Sequence, residues 1–146
     1  MKPPRLLHSC FAALALGLLA ACASISPYDQ AAYEKAVDAK VDTLALMAQA
    51  AEPYAGHQKD VDALNLELNK AYEYDKGRPN NALTVQQWAI LLDPHSGLVV
   101  DFFQEWQTDG TLKPAYVADK KTQIAGAFDQ IIALEAGKTK PSATQP

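Results

Sequence analysis

Beyond the N-terminal apolar run, two of the three histidines, two acidic pairs and one dense polar segment are where this chain carries side chains able to do chemistry. His57 follows Gly56, and His95 follows Pro94, so both fall in turns or at helix starts. A zinc site draws about three or four convergent ligands. These histidines lack i, i+4 spacing and have no cysteine near them, so they read as solvated loop residues. Asp60 with Asp62 reads as the acidic first turn of a helix, and Asp38 with Asp42 as a solvated helix face, rather than as carboxylates paired for acid–base work. No calcium-loop, haem-attachment, phosphate-loop or serine-hydrolase motif occurs. The sequence therefore names no catalytic residue, no metal and no cofactor, and reads as non-enzymatic.

The dense segment is Tyr72-Glu73-Tyr74-Asp75-Lys76-Gly77-Arg78-Pro79-Asn80-Asn81, which holds the one arginine beyond Arg5. Trp88 follows closely. Arginine, tyrosine and tryptophan dominate binding hot spots, so Tyr74, Arg78, Asn80 and Asn81 form a candidate contact surface for a partner. The plainer reading makes Tyr72 and Trp88 core, leaves Tyr74 half exposed, and has Arg78 cap or tie down the loop. A second candidate is the set Trp88, Phe102, Phe103 and Trp106, which either lines a pocket for a small apolar ligand or is simply core.

The elements that would position these residues are helices. Apolar residues recur every three or four positions. Ser26 as cap, Pro27 and Asp29 open a first helix with the stripe Tyr33, Val37, Val41, Leu44 and Ala48, running to about Ala51. Pro53 and Gly56 break it. A second helix spans about Lys59–Lys76 on Val61, Leu64, Leu68, Ala71 and Tyr72. After the Gly77–Asn81 breaker, Thr84 and Gln87 form a capping box for a short helix carrying Trp88, Leu91 and Leu92. Ser96 opens another short helix with Val99, Phe102, Phe103 and Trp106. Pro114 starts the last, Ala115–Ala136, with Val117, Ile124, Phe128, Ile131 and Leu134 inward. No segment alternates with period two. The expected fold is all-α, a small antiparallel bundle of three long and two short helices over residues 28–137, with 138–146 a disordered polar tail.

The N-terminus has its own pattern. Lys2 and Arg5 precede a short apolar run containing Phe11, Leu14, Leu16, Leu18 and Leu19, the layout of a secretory signal rather than of a transmembrane helix. The run ends on Leu19-Ala20-Ala21-Cys22, which resembles the lipobox of bacterial lipoproteins. That resemblance, confined to residues 1–22, implies a signal peptide at 1–21, diacylglycerol transfer to the Cys22 sulfur, and cleavage before it. Residues 22–27 are then a lipidated N-terminus and short tether. Ala23 and Ser24 follow, with no Asp, which in Gram-negative members implies delivery to the outer membrane, facing the periplasm.

Removing residues 1–21 takes away two bases and no acid, leaving 13 − 2 = 11 basic against 17 acidic side chains, about −6. An acidic chain is a poor match for nucleic-acid phosphates. Cys10 leaves with the signal and Cys22 takes the lipid, so no disulfide is expected. The expectation is a non-enzymatic envelope lipoprotein, membrane-bound through Cys22 and contacting another envelope protein. The alternative is a helical module holding a small apolar ligand.

Overall fold

The computed structural model describes residues 25–138; the expected signal peptide, Cys22 and the tail from residue 139 lie outside the described residues. Five α-helices occur among them: α1 (Gln30–Met47), α2 (Gln58–Lys76), α3 (Ala82–Leu92), α4 (Leu98–Asp109) and α5 (Pro114–Ala136), with a 3-10 turn at Tyr54–Gly56. Three are long (18, 19 and 23 residues) and two short (11 and 12), and no strand occurs in the described part. The all-α antiparallel bundle is as expected.

α1 packs on α2 and α5, and α3 fills the space between α2 and α5 while carrying α4 on its other side. α1 runs down the bundle, α2 returns, α3 and α4 together cover the next descent, and α5 returns, which gathers residues 25–30, 74–84 and 133–138 at one end of the bundle. At the other end, Tyr54 N–H donates to Gly110 O at 2.8 Å and Leu112 N–H to Ala50 O at 2.7 Å. The core is one continuous cluster. Trp88, Phe102, Trp106 and Phe128 are its largest buried members. Trp88 meets Phe128 edge-on at 6.0 Å, and Phe102 meets Phe103 edge-on at 5.4 Å. The four rings considered as a ligand lining are all buried in this core.

Several boundaries differ from expectation, each for a local reason. Asp29, not Ser26, caps α1: its carboxylate accepts the Ala32 N–H at 3.0 Å. Ser26 is instead buried, its Oγ without a hydrogen-bond partner. α1 also presents a different stripe. Ala32, Ala36, Ala39, Thr43, Leu46 and Met47 face inward while Val41 is 58% exposed. Small residues let the α1 backbone approach its neighbours closely, and that close approach outweighs the gain from burying a branched valine. Thr84 caps nothing. α3 begins at Ala82, and the Thr84 hydroxyl turns inward to Glu135. Ser96 bonds back to Asp93, and α4 starts beyond Gly97. A Cβ on buried Gly97 would stand 2.6 Å from Asp93 N, Asp93 O and Leu91 O, so only glycine fits this turn.

Candidate functional site

At the end of the bundle holding residues 25–30, two acidic and two basic side chains meet below the surface. The stripe that puts Val61, Leu64, Leu68 and Ala71 inward reaches Asp75 one turn later. The stripe of Ile124, Phe128 and Ile131 likewise reaches Glu135. Asp75 is 1% exposed and Glu135 0%. Arg78, its side chain 10% exposed, joins them, donating from one guanidinium nitrogen to Asp75 Oδ1 at 3.1 Å and Glu135 Oε2 at 2.7 Å. From the other it donates to the Pro27 carbonyl at 2.5 Å. Trp88 Nε1 donates to Asp75 Oδ2 at 2.7 Å. Asn81 Nδ2 donates to Asp75 Oδ1 and to its backbone carbonyl. Thr84 Oγ1 donates to Glu135 at 3.0 Å. Lys138 reaches Glu135, Asn81 Oδ1 and Thr84 Oγ1.

This cluster holds two positive and two negative charges and satisfies their hydrogen bonds, which is what permits ionised groups inside a bundle. Burial pushes the Asp75 carboxyl above its usual range, against the lowering effect of its bonds to Trp88 and Arg78. Its members come from α2, the loop after it, α3, the end of α5 and the segment before α1. The cluster is a clasp that fixes the chain's entry to the bundle. The N–H of Ser26 donates to the Asn80 carbonyl at 3.2 Å, which Asn80 presents by adopting a left-handed φ of 56°. Tyr74 Oη donates to Asp29 at 3.0 Å, and this bond, ahead of burial, raises the Tyr74 pKa.

The four residues picked as a contact surface therefore divide. Arg78 and Asn81 point into the clasp and offer little to a partner. Tyr74 and Asn80 remain exposed. Lys138, placed in the disordered tail by the sequence, is a buried member of the clasp. His57 is not a solvated loop residue: its side chain is 14% exposed, lies 5.3 Å from the Trp106 ring, and sits between Glu52 at 3.1 Å and Asp60 at 3.7 Å. His95 is exposed. Among the described residues no group of three or more His, Cys, Asp or Glu is placed to hold a metal ion, and no helix is long and apolar enough to cross a membrane.

The opening that sequence reasoning missed lies between α2 and α4. At about 1.5 Å per residue, α3 rises only about 16 Å against about 28 Å for α2. α3 ends at Leu92, and beyond it α2 and α4 stand apart over a cleft of about 590 Å³. Val61, Leu92 and Phe103 form its apolar floor, with Tyr54 and Tyr72 at its sides. Its walls are carboxamides: Gln58, Asn65 and Asn69 on α2 face Gln104 and Gln107 on α4. Asn69 Nδ2 donates to the Asn65 carbonyl. The other four carboxamides make no side-chain hydrogen bond within the described residues. Asp62 is the sole acid in the lining; burial first, and then the Asp62 charge, raises the Tyr54 pKa. In sequence these amides look like a solvated face; the cleft follows from the shortness of α3.

No family model, curated protein or solved structure matches the chain.

Proposed function

We propose that this chain is a non-catalytic lipoprotein of the bacterial envelope, anchored through lipid on Cys22, whose α2/α4 cleft holds an extended segment of another envelope protein. The Leu19-Ala20-Ala21-Cys22 run supports the anchor. The observation that carries the binding reading is the facing rows of carboxamides over an apolar floor. A carboxamide both donates and accepts, as a peptide group does. Gln58 to Asn69 spans about 16 Å of helix, close to the length of five extended residues. The cleft volume falls in the usual range for binding sites, roughly 300–1,000 Å³. Neutral amides bind and orient; they have no proton to exchange near neutral pH.

The expected partner contact moves with this geometry from the Arg78 loop to the cleft. The test places a photo-crosslinking residue at Gln104 in growing cells and another at Asp119, exposed on α5. The Gln104 probe should capture one discrete partner protein, and Asn65→Arg, which puts a bulky charge in the cleft, should abolish that capture. Equal capture from both positions, or capture that survives Asn65→Arg, overturns the reading. The apolar-ligand reading has less support, since Trp88, Phe102, Phe103 and Trp106 are all members of the buried core.

A further inference from the structure

From Pro79 to Leu92 the chain carries no Asp, Glu, Lys or Arg, although charged residues are 21% of the whole. α3 occupies most of that stretch, and its outer side is apolar: Leu83 is 51% exposed and Ile90 48%, seven residues apart and so on one side of the helix, with exposed Gln86 between them. Beside Leu83 lies a shallow groove of about 190 Å³, lined by Ile25, Ala133 and Leu134 among others, whose one charged member, Lys138, is buried and paired with Glu135. Ile25 is 69% exposed. Ile25, Leu83 and Leu134 lie at the end of the bundle where the chain enters, and Ile90 continues the apolar side about 10 Å further along α3. The entry is fixed there by Arg78 on the Pro27 carbonyl and by Ser26 N–H on the Asn80 carbonyl. Cys22 is three residues before Ile25, at most about 10 Å of extended chain.

We propose that the outer side of α3, with Ile25, rests on the lipid surface that holds the Cys22 acyl chains. The inference rests on the anchor reading of Cys22. The clasp ties the tether to the bundle, so the anchor presents one particular side of the domain to the bilayer instead of letting it tumble on a loose linker. Absence of charge suits that side to an interface where desolvating an ion is costly. An acidic domain gains nothing from anionic headgroups, so apolar contact is the attraction that remains. Gly56 and the Tyr54 edge of the cleft lie at the opposite end of the bundle from the tether and are not part of the α3 side.

The test uses full-length protein matured in cells and reconstituted into phosphatidylcholine vesicles containing doxyl-labelled acyl chains. Single cysteines carry an environment-sensitive fluorophore at Gln86, on the proposed contact side, or at Gly56, where an added Cβ meets nothing within 4 Å. Intact mass reads the acyl group on Cys22 independently. The expected result is acylated protein in which the Gln86 label is blue-shifted and loses emission to the lipid quencher, while the Gly56 label keeps its emission. Leu83→Asp with Ile90→Asp, both on the exposed side, should abolish the quenching at Gln86 with acylation and the helical spectrum retained. Acylated protein with both labels unquenched overturns the proposal and leaves the anchor reading standing. A blue shift at Gln86 without lipid quenching means protein covers this side and also overturns it. Protein with no acyl group refutes the anchor reading, and the proposal with it.

Discussion

Replacing Arg78 with alanine should cost far more than a loop substitution normally does. Arg78 lies in a Gly-Pro-Asn turn, where a surface change usually costs within about 0.5 kcal/mol. Its guanidinium, however, spans Asp75, Glu135 and the Pro27 carbonyl. Arg78→Ala leaves two buried carboxylates with Lys138 as the only cation bonded to the cluster among the described residues, so the clasp changes from neutral to a net −1. Removing one partner of a buried ion pair costs about 3–5 kcal/mol. With about 2.1 cal/mol/K of unfolding entropy per residue over residues 25–138, that is a fall in Tm of about 12–20 °C. Arg78→Lys should fall between, since an ammonium cannot reproduce the planar fork across three acceptors. The pH dependence gives a second readout. The Asp75 carboxyl is already raised in the folded protein, and loss of Arg78 raises it further. The folded state then holds a proton that the unfolded chain releases, so stability falls as pH rises from about 3.9 through the folded value. The deficit against the parent should therefore shrink on acidification from pH 7 towards pH 4. Urea unfolding of residues 23–146 followed by circular dichroism measures both effects. A loss under about 1 kcal/mol, or a deficit that does not shrink in acid, would refute the clasp.

Other outcomes follow from single sites. Phe128→Ala, at a fully buried ring edge-on to Trp88, should lose about 3–5 kcal/mol in the same unfolding experiment. Thr43→Val should gain about 1 kcal/mol, because the Thr43 hydroxyl is buried without a partner and the swap nearly conserves shape; a clear loss would show that the hydroxyl is satisfied in solution. Gly97→Ala should cost about 1–3 kcal/mol, since its Cβ would press on backbone atoms that cannot yield. The lowered carboxyls of Asp29, bonded to Ala32 N–H, and Asp93, bonded to His95 N–H, favour the fold above about pH 3.8. Their contribution should disappear as pH falls through their folded values, and Asp29→Asn should flatten the acid limb of a stability–pH curve.

The helices were legible because α2 and α4 carry strong apolar stripes, α5 repeats large apolar residues at Ile124, Phe128 and Ile131, and proline and glycine mark their ends. α1 was misread because large side chains were favoured over alanine. Which face a helix buries depends on how closely its neighbours approach, and that is a tertiary property. The clasp was half legible. Extending two inward stripes by one turn brings Asp75 and Glu135 to the apolar side, and one arginine lies between them in sequence. That Arg78 turns inward instead of outward depends on α3 holding the ends of α2 and α5 on either side of it, and Arg78 and Glu135 are 57 residues apart in the chain. The cleft was not legible at all, because it is a gap left where α3 stops short, and its amides resemble any solvated helix face.

The anchor on Cys22 underlies the account, and the mass of the N-terminal peptide tests it most directly. Protein extracted from membranes and digested with trypsin should yield a first peptide beginning at Cys22 and ending at Lys35, heavier than its sequence by a diacylglycerol group, while Cys22→Ser yields no acylated peptide and no membrane-held protein. A mature chain that begins elsewhere, or begins at Cys22 with an unmodified thiol, would contradict it.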